Sequence, residues 1–389
     1  MFFDRIYPLL MQKISDAACR YASQLGYSPQ MIAWGFQHMA SHWTEAEFRR
    51  LCEGELPQIS DAYRLVDGHL PLEARCRIVG WHAPKKLLLV TASTVPSAAF
   101  QDMMLFLMMP LHVTLRPSSN QRMFFEEVKQ IVSDVLPEFG ARLSIGEAAR
   151  DELSRRKLCE DKDWVCVSGS DETIRLYEAT VAALPEAGRP KCMMHGHRVS
   201  AVCISGDERE AWDESMIERM ALDVSVWDQV GCLSPKCLFI ESSQEVGVAL
   251  ARRLAAALDG VAVQLPGTGM DMHMRAALNN ALMMAQLDGA QVVSAPKNRD
   301  YLVVYPENSR AMPLLFPRCL SIYPVSNAGE AAVQTLSPRG QALCSIYPEK
   351  GRERLEKAGF NYFCMPGQMQ DPPLYWRHDG MGTWAPLIE

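Results

Sequence analysis

Several things are missing from this sequence, and each absence removes a class of protein. Its 12 cysteines contain no pair of C-x-x-C units, which sets aside a zinc ribbon. In a reducing compartment most of these thiols read as small buried hydrophobes. There is no long apolar run: the most apolar stretch, Met103 to Leu111, falls far short of the roughly 20 residues a membrane span needs. The opening Met1-Phe2-Phe3-Asp4-Arg5 carries an early acidic residue and no apolar segment behind it, so no secretory signal is expected. The chain is accordingly read as cytoplasmic and not membrane-integral. It has no basic surplus, with a net charge of −7 and a pI near 5.8, and no local run of lysine and arginine, which argues against nucleic acid as a partner. Internal repeats, low-complexity linkers and a complete G-x-G-x-x-G fingerprint are also lacking.

What is present is the composition of an ordinary globular protein, 389 residues with 48% hydrophobic and 22% charged, enough for two domains with sizeable cores. The first 60 residues read as helices, with Ala17, Tyr21, Leu25 and then Ile32, Phe36, Met39 at helical spacing. From about Ala74 strands alternate with helices. Strands are expected at Cys76–Gly80, Lys86–Val90, Leu111–Arg116 and Trp164–Val167, with helical runs to Leu107, from Phe124 to Leu136 and from Asp171. The nearly continuous apolar Leu87-Leu88-Leu89-Val90 suits a parallel strand covered on both faces. This alternation points to βαβ units and a dinucleotide-binding type of sheet. A second α/β block follows, with helices at Trp212–Asp223, Val246–Leu258 and Met272–Leu287, a strand at Lys236–Glu241, and short strands with Pro-rich corners beyond residue 300. The boundary between the blocks is placed near residue 205.

The sharpest local signal is Gly231-Cys232-Leu233-Ser234-Pro235. A glycine before a loop cysteine lets a carbonyl approach the backbone closely, and the cysteine amide can face a developing oxyanion. A thiolate attacking a thioester exchanges one thioester for another, so little activation is needed. An isolated Gly-Cys is more often a buried structural cysteine. Ser168-Gly169-Ser170 closes a strand and opens a helix, a place for a cofactor phosphate or simply a strand–helix turn; Gly267-Thr268-Gly269 is similar and weaker. Arg116, at a strand end, suits a ribose 2′-phosphate, the group separating NADP from NAD, with a strand-terminal arginine turning into solvent as the alternative. His195 and His197 flank Gly196, and either suits proton donation to an alkoxide, with surface or structural roles as the alternative. His38 and His42 lie one helical turn apart without a third ligand, so no metal is expected there.

Taken together and in order, these segments resemble the long-chain acyl-CoA reductases of the bacterial bioluminescence type, the LuxC family, a branch of the aldehyde dehydrogenase superfamily. The resemblance runs from about Arg77 to the C-terminus. Its most specific pieces are Ser168-Gly169-Ser170-Asp171-Glu172-Thr173-Ile174 and Trp227-Asp228-Gln229-Val230-Gly231-Cys232-Leu233-Ser234-Pro235, supported by Gly196-His197-Arg198-Val199-Ser200 and Pro372-Pro373-Leu374-Tyr375-Trp376-Arg377-His378-Asp379-Gly380.

The resemblance implies an α/β, aldehyde-dehydrogenase-like fold, with N-terminal helices and a Rossmann-type cofactor domain over 1–205 and an α/β catalytic domain over 206–389. It implies an acyl-Cys232 intermediate, with Thr94 at the oxyanion-hole position and His197 as a further catalytic candidate. Arg116, Ser118, Ser168, Gly169, Ser170 and Thr173 would line the nucleotide and Phe316 the nicotinamide. Met194 stands where the superfamily has its general-base glutamate, which disfavours hydrolysis and favours hydride delivery, and Leu314 where many relatives have a ribose-binding glutamate. The implied activity is NADPH-dependent reduction of an acyl thioester to an aldehyde, with acyl-CoA or an acyl-carrier protein as donor, an acyl-protein synthetase or transferase as a further partner, and self-association into a homo-oligomer. A non-reducing acyltransferase acylated on Cys232 is the alternative. The 22 methionines suit either a pliable acyl tunnel or core filling.

Overall fold

The computed structural model describes residues 2–66, 70–207, 209–295, 297, 300–346 and 351–388. The chain divides into two compact units, Met1–His197 with Pro373–Glu389, and Arg198–Pro372. The first unit thus ends at His197 rather than near 205, and the tail assigned from sequence to the second block belongs to the first.

The first unit is built on five parallel strands, β1 (Lys85–Val90), β2 (Leu111–Arg116), β3 (Leu143–Ile145), β4 (Trp164–Ser168) and β5 (Lys191–His195), in the order β3-β2-β1-β4-β5. Leu87, Leu88, Leu89 and Val90 are all buried, each contributing about 1.5–3 kcal/mol by leaving water. Leu88, Val90, Val165 and Val167 pack with Tyr177 and Val181 of the helix Asp171–Ala182; Leu87 and Leu89 point to the other face. The N-terminal helices are tied on through Phe36, whose ring lies 6.2 Å from Phe100 and 5.8 Å from Phe124. The residues expected as a strand at Cys76–Gly80 instead lie in and just after a helix, Leu72–Ile78. It is held by fully buried Arg75, whose guanidinium donates to Leu65 O at 2.6 Å, Leu70 O at 3.0 Å and Met108 O at 3.2 Å. The returning tail is anchored by buried Glu55, whose carboxylate accepts the backbone N–H groups of Thr383, Trp384 and Ala385. Trp384 is fully buried and donates through Nε1 to Leu105 O at 3.0 Å.

The second unit has seven strands, β6 (Val199–Ile204), β7 (Pro235–Glu241), β8 (Gln291–Ser294), β9 (Tyr301–Val304), β10 (Cys319–Val325), β11 (Gly340–Cys344) and β12 (Tyr362–Cys364). Their order is β12-β11-β6-β7-β10-β9-β8, parallel throughout except β8 at the edge. Asp213 and Asp271 cap the helices Glu214–Ser225 and Met272–Leu287 by accepting N–H bonds from Met216 and Met274. Beyond residue 300, where only strands are expected from sequence, two helices intervene, Ala328–Leu336 and Arg352–Lys357. At Gly340 a Cβ would stand 2.8 Å from the Phe360 ring, so the bare backbone is what lets that ring close the end of the sheet. Among the described residues no helix is long and apolar enough to cross a membrane.

Candidate active site

Cys232 lies on the loop that leads from the helix Glu214–Ser225 into β7. That loop begins with three successive non-glycine residues in left-handed conformation, Trp227 (φ 54°), Asp228 (φ 48°) and Gln229 (φ 62°). Such residues cost on the order of 1 kcal/mol each, so the surroundings must hold them. Asp228 accepts hydrogen bonds from Arg318 Nε at 2.9 Å and Thr268 Oγ1 at 2.8 Å. Gln229, fully buried, donates through Nε2 to Pro235 O at 2.7 Å and accepts from Cys319 N at 2.7 Å. Ser200 Oγ donates to Cys232 O at 2.7 Å and accepts from Ala342 N at 3.0 Å. The loop is therefore fastened on both sides of the cysteine. Among the described residues Cys232 is the one cysteine of this unit that is not buried; burial pushes the Cys319 thiol up to about 12. Gly267-Thr268-Gly269 serves Asp228 here, since Thr268 bonds it and a Cβ on Gly267 would lie 3.0 Å from Asp228 Oδ1. Phe316, in the same unit, is half-buried against the core that includes Phe239 and Tyr323.

In the first unit the cofactor candidates gather at the carboxyl ends of the parallel strands. The strand order reverses between β1 and β4, the place where open α/β sheets take their ligands. Arg116 ends β2 and Ser168 ends β4, and Thr91 follows β1. Thr91 Oγ1, Arg116 Nε and Ser168 Oγ are buried polar atoms with no hydrogen-bond partner among the described residues, an arrangement that costs free energy unless something polar meets them. Ser118 bonds Asn120, which reaches Ser93 O. Thr94 sits half-buried in the loop after β1, its carbonyl taken by the Tyr27 hydroxyl. The helix start is more occupied than its sequence suggests. Gly169 N donates to His195 O at 3.1 Å, Ser170 Oγ caps Thr173 N at 3.2 Å, and Asp171 accepts from His197 N at 2.9 Å. Gly169 leaves room there, because a Cβ would stand in tight contact, 3.2 Å from Thr173 Cβ.

Of the two histidines it is His195, not His197, that the structure surrounds with titratable groups. His197 is exposed. His195 is buried, its Nδ1 lies 3.0 Å from Asp379 Oδ2, and its ring stacks on His378 at 4.4 Å between centroids and 4° between planes. Burial alone would lower its affinity for a proton; the hydrogen bonds to Asp379 and Cys166 outweigh this and hold it up at about 10. Asp379 is left-handed (φ 55°) with a side chain only 1% exposed. The ligand atoms of His195, His378 and Asp379 lie within 4.8 Å of one another, but two parallel stacked rings cannot both aim in-plane lone pairs at one ion. From sequence, His195 stands out beside Gly196 and His378-Asp379-Gly380 as a tail motif, and nothing in the sequence joins the two. His38, for its part, stacks on Trp34 at 3.7 Å and bonds Trp34 O through Nδ1 at 2.9 Å.

A family model described as acyl-CoA reductase (LuxC) matches residues 12–388. The chain belongs to that family. It is an oxidoreductase of the acyl-CoA reductase class. Curated protein sequences give no match. Solved structures similar to this member of the LuxC family include aldehyde dehydrogenases. An NAD-dependent benzaldehyde dehydrogenase from Corynebacterium glutamicum has a TM-score of 0.68 at 10% identity, over 95% of this chain and 82% of that one. Aldehyde dehydrogenase 21 from Physcomitrella patens, in complex with the product succinate, has a TM-score of 0.66 at 12% identity, over 97% and 79%. The indole-3-acetaldehyde dehydrogenase AldA of P. syringae, in complex with NAD+, has a TM-score of 0.65 at 13% identity, over 94% and 74%. At these identities the likeness establishes the aldehyde dehydrogenase fold, the fold expected from sequence.

Proposed function

We propose that this LuxC-family reductase converts an acyl thioester to an aldehyde through an acyl group carried on Cys232, with NADPH as reductant. The observation that carries the reading is the fastened loop, which presents the one unburied thiol of the second unit. Cys232 attacks the thioester carbonyl and releases the donor thiol, from coenzyme A or an acyl-carrier protein. When bound, a nicotinamide would supply the hydride that reduces the acyl group. Cys232 then carries a thiohemiacetal, which collapses to aldehyde and thiol. With methionine at 194 no carboxylate at that position activates water, so hydrolysis competes poorly.

The strand-end residues fit a nicotinamide nucleotide, because the buried, partnerless atoms of Thr91, Arg116 and Ser168 are the donors and acceptors that ribose and phosphate oxygens satisfy. Arg116 would face the 2′-phosphate and so favour NADPH over NADH. A second reading, acyl transfer without reduction, is favoured by one feature: Gly169 N and Ser170 Oγ are already bonded, and Asp171 and Glu172 place negative charge in the first helical turn where a phosphate would sit.

The test mixes purified protein with an acyl-CoA and NADPH and follows NADPH absorbance, alongside Cys232→Ala. Oxidation with aldehyde formation by the native protein alone supports the reductase reading. Labelled acyl-Cys232 with no oxidation by any thioester donor would favour acyl transfer.

A further inference from the structure

The helix Met272–Leu287 lies on the core of the second unit through Leu278, Leu282 and Ala285. A helix packed on one side normally turns charged and polar side chains outward. Within the 16 residues of this one, His273 and Arg275 are the basic side chains, and lysine, aspartate and glutamate are absent. Its outward positions are instead Met272 at 85% exposure, Met283 at 54%, Met284 at 55% and Leu287 at 75%. Ala276, Ala277 and Asn280 lie exposed between them. Contiguous exposed apolar side chains of this kind mark a place of contact.

The pattern is symmetric about Asn280. Ala276 and Met284 lie four positions to either side of it, Ala277 and Met283 three, and His273 and Leu287 seven, all on one helical face. Two such helices crossing antiparallel about a two-fold axis at Asn280 set the methionines of each copy over the alanines of the other, large against small. The two Asn280 amides meet at the axis, where each has a donor and an acceptor for the other. Exposed His273 comes beside the second copy's Asp288, exposed just past the far end of that helix, and the helix dipoles oppose each other favourably. A helix without lysine or carboxylate offers little to a strongly charged partner or to an anionic bilayer.

We propose that this face is the contact through which two copies of the chain associate, as an isologous pair of these helices. The helix is about 24 Å long, and one such face falls short of the roughly 800 Å² per partner of a standard interface. The association is therefore reversible and concentration-dependent.

Sedimentation velocity of the full chain over about 1–200 µM tests it, the range that brackets a micromolar dissociation constant. The native protein should pass from monomer to dimer. Met284→Glu, at an exposed position, should leave the circular dichroism melt unchanged and raise the dissociation constant at least about tenfold. Ala276→Glu should do the same, and adding Met284→Lys to it should recover association, because the two new charges then face each other across the axis. Asn280→Cys treated with a short bismaleimide should give a 280–280 cross-link identified by peptide mass spectrometry. Met272→Cys should not link to its counterpart, which lies about 24 Å away along the pair. A monomer at every concentration overturns the proposal, as does a dimer that survives Met284→Glu or lacks the 280–280 link. A monomer that instead floats with phosphatidylglycerol vesicles, and loses this with Met284→Glu, gives the face to a lipid surface and overturns it equally.

Discussion

Replacing Gln229 tests whether the left-handed turn before Cys232 is held in the way described. Its side chain makes two bonds of 2.7 Å, to Pro235 O and from Cys319 N. Gln229→Ala leaves both backbone groups buried without a partner. Each orphan costs about 1–3 kcal/mol, so destabilisation of the second unit by about 2–6 kcal/mol is expected, a large part of a typical folding free energy. Gln229→Gly loses the same bonds but removes the conflict between Cβ and the left-handed backbone (φ 62°). Glycine should therefore be the better replacement by about 1 kcal/mol, the reverse of the order in a helix or strand. Urea unfolding followed by circular dichroism gives both values, and Cys232 alkylation reports whether the loop has loosened. A loss below about 0.5 kcal/mol for alanine, or alanine at least as stable as glycine, would refute the reasoning.

Three further expectations follow from the same geometry. Arg116→Ala should raise KM for NADPH about tenfold, equivalent to about 1.4 kcal/mol, while leaving KM for NADH nearly unchanged; equal effects on both would remove Arg116 from the 2′-phosphate. Because His195 is held above its ordinary value, at about 10, its contribution to stability is fully present below about pH 6.5 and fades as pH rises toward 10. The gap in melting temperature between native protein and Asp379→Asn should accordingly narrow between pH 6.5 and 9.5; neighbouring Asp102, raised by burial to about 6, titrates below that window. Gly340→Ala should cost about 1–3 kcal/mol by forcing a methyl group against Phe360, and Phe360→Leu should recover part of it in the double variant.

The elements legible in the sequence were those whose information is local. β1, β2, β4 and β7 are short apolar runs, and the aspartates at 213 and 271 stand directly before the helices they cap. One misread segment was Cys76–Gly80, where Ile78-Val79 suggested a strand; what selects the helix is Arg75, and one of its partners, Met108 O, lies 33 residues on. The loop around Cys232 was conspicuous because of Gly231. Its restraint was not, since Gln229 bonds Cys319 across 90 residues and the left-handed turn contains no glycine to announce it. His195 and Asp379 are separated by 184 residues, a distance no periodicity can bridge, so His197 drew attention that the fold gives to His195.

The tail that returns to Glu55 has a consequence for biosynthesis. Because residues 373–389 complete the first unit, a ribosome must translate the whole second unit before the first has its last buried tryptophan, Trp384. The second unit is in effect an insertion into the first, able to close its sheet while the earlier-made portion still waits. Loss of residues 373–389 should therefore be felt far back in the sequence, in the helices around Glu55.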